Sequence, residues 1–190
     1  LTYGFVLQSL PVMQFKDAEN YYTYAADSAI ILSRYLEQGF VTVLANEPVW
    51  LLVNIGLGLL TDPETVMRTI VFFSASFFAF HFTRADPKNS VWLMIFLLMP
   101  QLLKNFTTHL RQGLGIAIFF AGYFSHGRFL RWSSMAIAPF IHASFFFIIP
   151  FIALPDILRR MQLAVDIRLI TMGLFSLFIR LSLGLWVQLL

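Results

Sequence analysis

Arg111, His142, Glu47 and Asp17 are ionisable side chains set within or beside long apolar stretches. A charge at mid-membrane depth costs about 2.5 to 3.5 kcal/mol on insertion scales, so such groups call for a partner or a wet cavity. The chain has no cysteine, which excludes thiolate nucleophiles, thiolate metal sites and disulfides. Chemistry therefore falls to oxygen and nitrogen groups: a fixed cation for anions, an imidazole or carboxylate for protons. Each residue also has a plain structural reading. Arg111, which opens an apolar helix after Asn105 and His109, is either a snorkelling interfacial arginine or a functional cation. His142, near the middle of the run 132–154, is either bonded to a neighbouring carbonyl or catalytic. Glu47 before Pro48 suits a helix first turn for dipole reasons alone. Asp17 precedes a tyrosine cluster, and Arg180 sits between two apolar stretches, within a membrane or at a helix end. No His and carboxylate spacing suggests a metal, and no glycine loop cradles phosphate. Neither a metal nor a cofactor is expected.

The elements that must position these residues read as membrane helices. Of 190 residues 58% are hydrophobic and 12% charged, against about 25% charged in a soluble domain. Residues 132 to 155 contain one ionisable group, His142, in a run long enough for about 30 Å of hydrocarbon. Residues 1 to 15 read as the tail of a helix. In 16 to 46, Asn20, Asp27 and Arg34 recur every seven residues while Tyr21, Tyr24, Ile31 and Tyr35 lie towards another side. That period predicts an amphipathic surface helix, with tyrosines suited to the headgroup level, ending near Gly39.

Asn46, Glu47 and Pro48 form a helix start, with Asn46 as the expected cap. The segment 47–60 is short enough to dip into the membrane and return. Thr61 and Glu64 have capping-box spacing and lead into a Phe-rich helix ending near His81. Apolar helices are predicted over 90–103, 111–124, 132–154 and 169–190. Gly113, Ala117 and Ala121 give the second of these a small-residue stripe for close packing. The loop with His126, Arg128 and Arg131 lacks acids and suits the cytoplasmic side. If its flanking helices cross, Arg111 and His142 lie on facing helices in the opposite half of the bilayer. The expected fold is all-α, a polytopic transmembrane helical bundle with one interfacial helix. It forms a single membrane domain over 1–190, with 16–46 a polar loop and 47–190 transmembrane. Both ends fall inside apolar stretches, as in a piece of a longer chain. The net charge of +3 is scattered, without the basic stripe of a nucleic-acid groove.

In order along the chain, Asp17-x-x-x-Tyr21, Glu47-Pro48 opening a helix, Asn105 ahead of Arg111-Gln112, and His142-x-Ser144 resemble the EpsG family over about residues 17 to 150. These are multi-pass bacterial cytoplasmic-membrane proteins of exopolysaccharide, capsule and O-antigen synthesis, related in role to Wzy-type polymerases. Phe15, Lys16 and Val49 stand where the family usually has Gly, Thr and a small residue. The resemblance implies a transferase that joins oligosaccharide repeats carried on undecaprenyl pyrophosphate, with other polysaccharide-export components as further partners. It implies Arg111, His142, Asp17 and Glu47 as catalytic, with Arg111 steadying the pyrophosphate leaving group and His142, Asp17 or Glu47 as base. Asn105, Gln112, Ser144 and Tyr21 would bind substrate. Arg180, outside the motifs, is a substrate-binding candidate from its position alone. The rival reading is a transporter or flippase of the lipid-linked oligosaccharide, and a third is a non-catalytic scaffold.

Overall fold

The computed structural model describes residues 1–125, 127–160, 170, 171 and 173. Every regular element among them is helical. The chain divides into two compact units, Leu1–Ala143 and Ser144–Leu190. The first holds α1 (Thr2–Gln8), α2 (Ala18–Glu37), α3 (Phe40–Ala45), α4 (Pro48–Gly58), α5 (Pro63–Ala85), α6 (Ser90–Phe96), α7 (Pro100–Thr107), α8 (Leu110–Tyr123) and α9 (Arg128–Ile141). The second holds α10 (Phe145–Arg160).

Helix α5 is the centre of the first unit, burying Val66, Met67, Ile70, Val71, Ala75 and Phe78. Its cap is Asp62, whose carboxylate accepts the Thr65 N–H at 3.1 Å and the Thr65 hydroxyl at 2.6 Å. The expected box of Thr61 and Glu64 is replaced, because Glu64 is drawn into an ion pair with Arg68 at 2.7 Å. Arg68 also donates to the Gln8 carbonyl at 2.6 Å, tying the α1 end to α5.

Among the described residues, α5 is long and apolar enough to cross a membrane, at 23 residues or about 35 Å. The segments Pro87–Phe96 and Pro100–Thr107 meet that standard only together and are bent by 74°. The run 90–103 is thus broken. Pro100 has no N–H to donate and holds Met99 extended, at φ −60° and ψ 133°, since a residue before proline avoids the helical region. The run 132–154 is broken too. Helix α9, with Pro139 inside it, stops at Ile141, and His142 is extended at φ −151° and ψ 120°. His142 therefore ends a helix instead of lying in the middle of one. At 14 residues each, α8 and α9 measure about 20 Å, short of a full hydrocarbon layer.

On α2 the seven-residue period holds: Asn20, Asp27 and Arg34 are exposed, while Ala18, Tyr21, Ala25 and Ser28 are buried. Two of the tyrosines have a different task from the expected one. Tyr21 and Tyr24 turn inward, edge-on to Trp50 with ring centroids 5.7 Å and 6.3 Å apart, because Trp50 on α4 offers a large apolar surface that is itself 1% exposed.

The small-residue stripe of α8 brings backbones together at Gly113, where an added Cβ would lie 2.5 Å from the Asn105 carbonyl oxygen of α7. Backbone cannot retreat as a flexible side chain can. Gly113→Ala is expected to destabilise the unit by about 1 to 3 kcal/mol through overpacking, read as a lower thermal midpoint of the detergent-solubilised protein. Ala117, 0% exposed in the same core cluster as Phe78, already carries its methyl group there.

Candidate functional site

Glu47 joins α3 to α4 and is, among the described residues, the one non-glycine with positive φ, at 54°. Pro48 disfavours the right-handed helical region for the residue before it, and the left-handed conformation adopted instead costs about 1 to 3 kcal/mol unless its surroundings hold it. Asn46 does not cap α4 as expected. Its amide turns back to the Thr42 carbonyl at 2.7 Å, so Glu47 becomes the cap residue with no side-chain bond to its own helix.

The Glu47 carboxylate instead reaches across the unit. Oε2 accepts from Arg111 Nη1 at 2.7 Å. Oε1 accepts from His142 Nδ1 at 2.9 Å and from the Ala143 backbone N–H at 2.9 Å. Arg111 opens α8 and His142 follows α9, so one carboxylate clamps the open end of this helix hairpin. The break after Ile141 is what lets both the imidazole and the next N–H face Glu47.

The Glu47 side chain is 12% exposed. Burial alone would push its carboxyl up. The hydrogen bonds from His142 and Ala143 and the charge of Arg111 outweigh that and hold it below the ordinary 4.5. Glu47 is thus an acceptor at neutral pH, and the proton between it and His142 resides on Nδ1. The imidazole then presents Nε2 to whatever lies beyond.

A depressed folded-state value stabilises the fold above the unfolded value and is lost as pH falls through the folded one. Glu47 accordingly adds stability above pH 4.5 that disappears on further acidification. The stability difference between wild type and Glu47→Gln should shrink as pH drops below 4.5, measured by denaturant unfolding in detergent.

Arg111 places its guanidinium 5.1 Å over the Tyr24 ring. Among the described residues Glu47 engages Nη1, and Nε is buried without an acceptor, as is Nε1 of Trp50. Buried donors without partners are uncommon and call for an explanation. Tyr21 is held as a neutral phenol: burial raises it, and the nearby Arg111 charge only partly offsets this. Asp17 also acts on Tyr21, which links Glu47 and Arg111 to a second pair. Asp17 Oδ2 lies 3.1 Å from His109 Nδ1, each side chain one-third exposed. His109 is the residue that sequence reasoning passed over. It stands two positions before Arg111, and its partner is 92 residues away.

Of the other candidates, Asn105 is buried and accepts from Gln101 Nε2 at 3.2 Å. Gln112 is half-buried beside Arg111. Among the described residues neither bonds to Glu47 or His142. Ser144 belongs to the second unit, where its carbonyl accepts from the Phe147 N–H. Arg180 lies outside the described residues. No group of three His, Asp or Glu side chains among the described residues could hold a metal ion.

A fixed cation, an imidazole oriented by a carboxylate, and an acid–imidazole pair close by suit proton transfer beside a developing negative charge. Neither the sequence nor the fold matches a known family model, a curated protein or a solved structure.

Proposed function

We propose that this chain is a membrane polymerase of the EpsG type, joining oligosaccharide repeats carried on undecaprenyl pyrophosphate in the bacterial cytoplasmic membrane. The observation that carries the reading is the bridge through Glu47: residues 47, 111 and 142, widely separated in sequence, meet on one carboxylate. Asp17, from the first of the resembling motifs, is paired two residues from Arg111. The proposal includes a multi-pass topology, with α5 as its firmest span and the bent α6–α7 pair as the next.

In the reaction, an acceptor sugar hydroxyl attacks the anomeric carbon of the donor repeat. The new C–O bond forms as the bond from that carbon to the pyrophosphate oxygen breaks, and its electron pair leaves with the lipid pyrophosphate. The hydroxyl proton passes to His142 Nε2, while Nδ1–H stays on Glu47. Nη2 of Arg111, free of Glu47, meets the charge growing on the leaving group. Tyr24 beneath the guanidinium fixes its plane. Asp17 with His109 binds the acceptor hydroxyls.

The test is extension of lipid-linked repeats by the purified protein in detergent, where no second compartment exists. A ladder of polymer with release of undecaprenyl pyrophosphate supports the polymerase. Transbilayer movement of intact repeats in proteoliposomes without new glycosidic bonds selects the transporter.

A further inference from the structure

We propose a second anion site in the first unit: a pocket for the phosphate headgroup of an anionic membrane lipid, where the end of α5 meets the α8–α9 turn. A cavity of about 840 Å³ opens there, with His81, Arg84, Arg131, Phe80, Tyr123 and Leu130 in its walls. It lies at the far end of α8 from Arg111, about 20 Å away along the helix.

The charges of this pocket are one-sided. Among the described residues no acid lines it, and neither Arg84 nor Arg131 forms an ion pair. Each guanidinium rests on an aromatic face instead, Arg84 at 4.8 Å over Phe80 and Arg131 at 5.5 Å over Tyr123. Stacking of this kind orients the planar fork and leaves its N–H edge for an acceptor. Asp86, the nearest acid in sequence, is occupied with the Lys88 N–H and the Asn89 amide.

Two oriented guanidiniums without carboxylates match a phosphate. Its source is a lipid for two reasons. Arg84 is in the last turn of α5, the helix able to cross a membrane, so the pocket falls at headgroup depth. Much of the remaining wall, including Phe77, Ile118 and Leu130, is apolar beside the hydroxyls of Ser125 and Ser134, and that apolar part suits a glycerol backbone and acyl chain, for which a free phosphate ion has no use. The inference is independent of the reaction at Glu47.

The experiment exposes the full purified chain in detergent to equal amounts of phosphatidylglycerol and phosphatidylcholine and counts retained lipid by native mass spectrometry. Wild type should retain phosphatidylglycerol preferentially. The double variant Arg84→Gln, Arg131→Gln should lower that retention about tenfold, the scale of losing charge-assisted phosphate contacts. Arg34→Gln, an exposed arginine on α2, should leave it unchanged, and all variants should keep the lipid-free thermal midpoint of wild type, since the three arginines are exposed. Equal retention of both lipids overturns the proposal. So does a double variant that still selects phosphatidylglycerol, a loss of equal size in Arg34→Gln, or displacement of the lipid by excess inorganic phosphate.

Discussion

Glu47→Gln is expected to abolish polymer while the protein still folds and inserts. Glutamine preserves the shape of the side chain and an oxygen for the Ala143 N–H. It removes the negative charge between Arg111 and His142, and with the amide oxygen in the Oε1 place its N–H₂ presents a donor to the Nη1 donor of Arg111. The amide oxygen is left as a neutral, weaker acceptor for both the Ala143 N–H and His142 Nδ1, so the imidazolium formed when Nε2 takes a proton loses the carboxylate charge that stabilises it. Replacing a tautomer-fixing carboxylate by its amide costs about 10⁴ in turnover where such dyads have been dissected. A fall of about 10² to 10⁴ is expected here. Stability should drop by only about 1 to 3 kcal/mol, the weight of one weakened charge-assisted hydrogen bond. The measurement is rate of repeat joining by purified protein together with polymer length in cells. Wild-type chain lengths would make Glu47 a helix-joining residue and nothing more.

His142→Ala and Arg111→Ala should each leave single lipid-linked repeats and normal protein level, without polymer. Their partial variants should differ. Arg111→Lys keeps a charge but loses the fork that allows Nη1 to hold Glu47 while Nη2 serves the phosphate, so a large loss should remain. If that loss arises in the transition state, turnover falls and the apparent affinity for the lipid-linked repeat changes little. Normal chain lengths in either alanine variant would remove that residue from the mechanism. Silence of both would favour a scaffold.

Much of the local architecture was readable in the chain. The seven-residue recurrence of Asn20, Asp27 and Arg34 located the exposed side of α2, and Pro48 and Pro63 marked the first residues of α4 and α5. Charges inside apolar runs drew attention to Glu47, Arg111 and His142 because such charges need partners. The partners themselves were not readable, since contacts across 64 and 95 residues leave no periodic trace. Hydropathy was blind to the breaks at Leu97–Met99 and after Ile141, because the residues on both sides are equally apolar. The left-handed backbone of Glu47 was hidden for a related reason: bonds made elsewhere in the fold hold it. His109 carries no signal of its own in the sequence, because the acid that gives it meaning, Asp17, sits at the start of a different helix.

The account stands on Glu47, Arg111 and His142 working as one unit, and a double-mutant cycle of repeat-joining rates on Glu47→Gln and His142→Ala addresses that directly. If the carboxylate acts through the imidazole, the double variant should be about as slow as the slower single variant, as for residues of other catalytic units. Losses that multiply would mean that the two side chains contribute independently, and the bridge through Glu47 would then be a structural contact without a part in the chemistry.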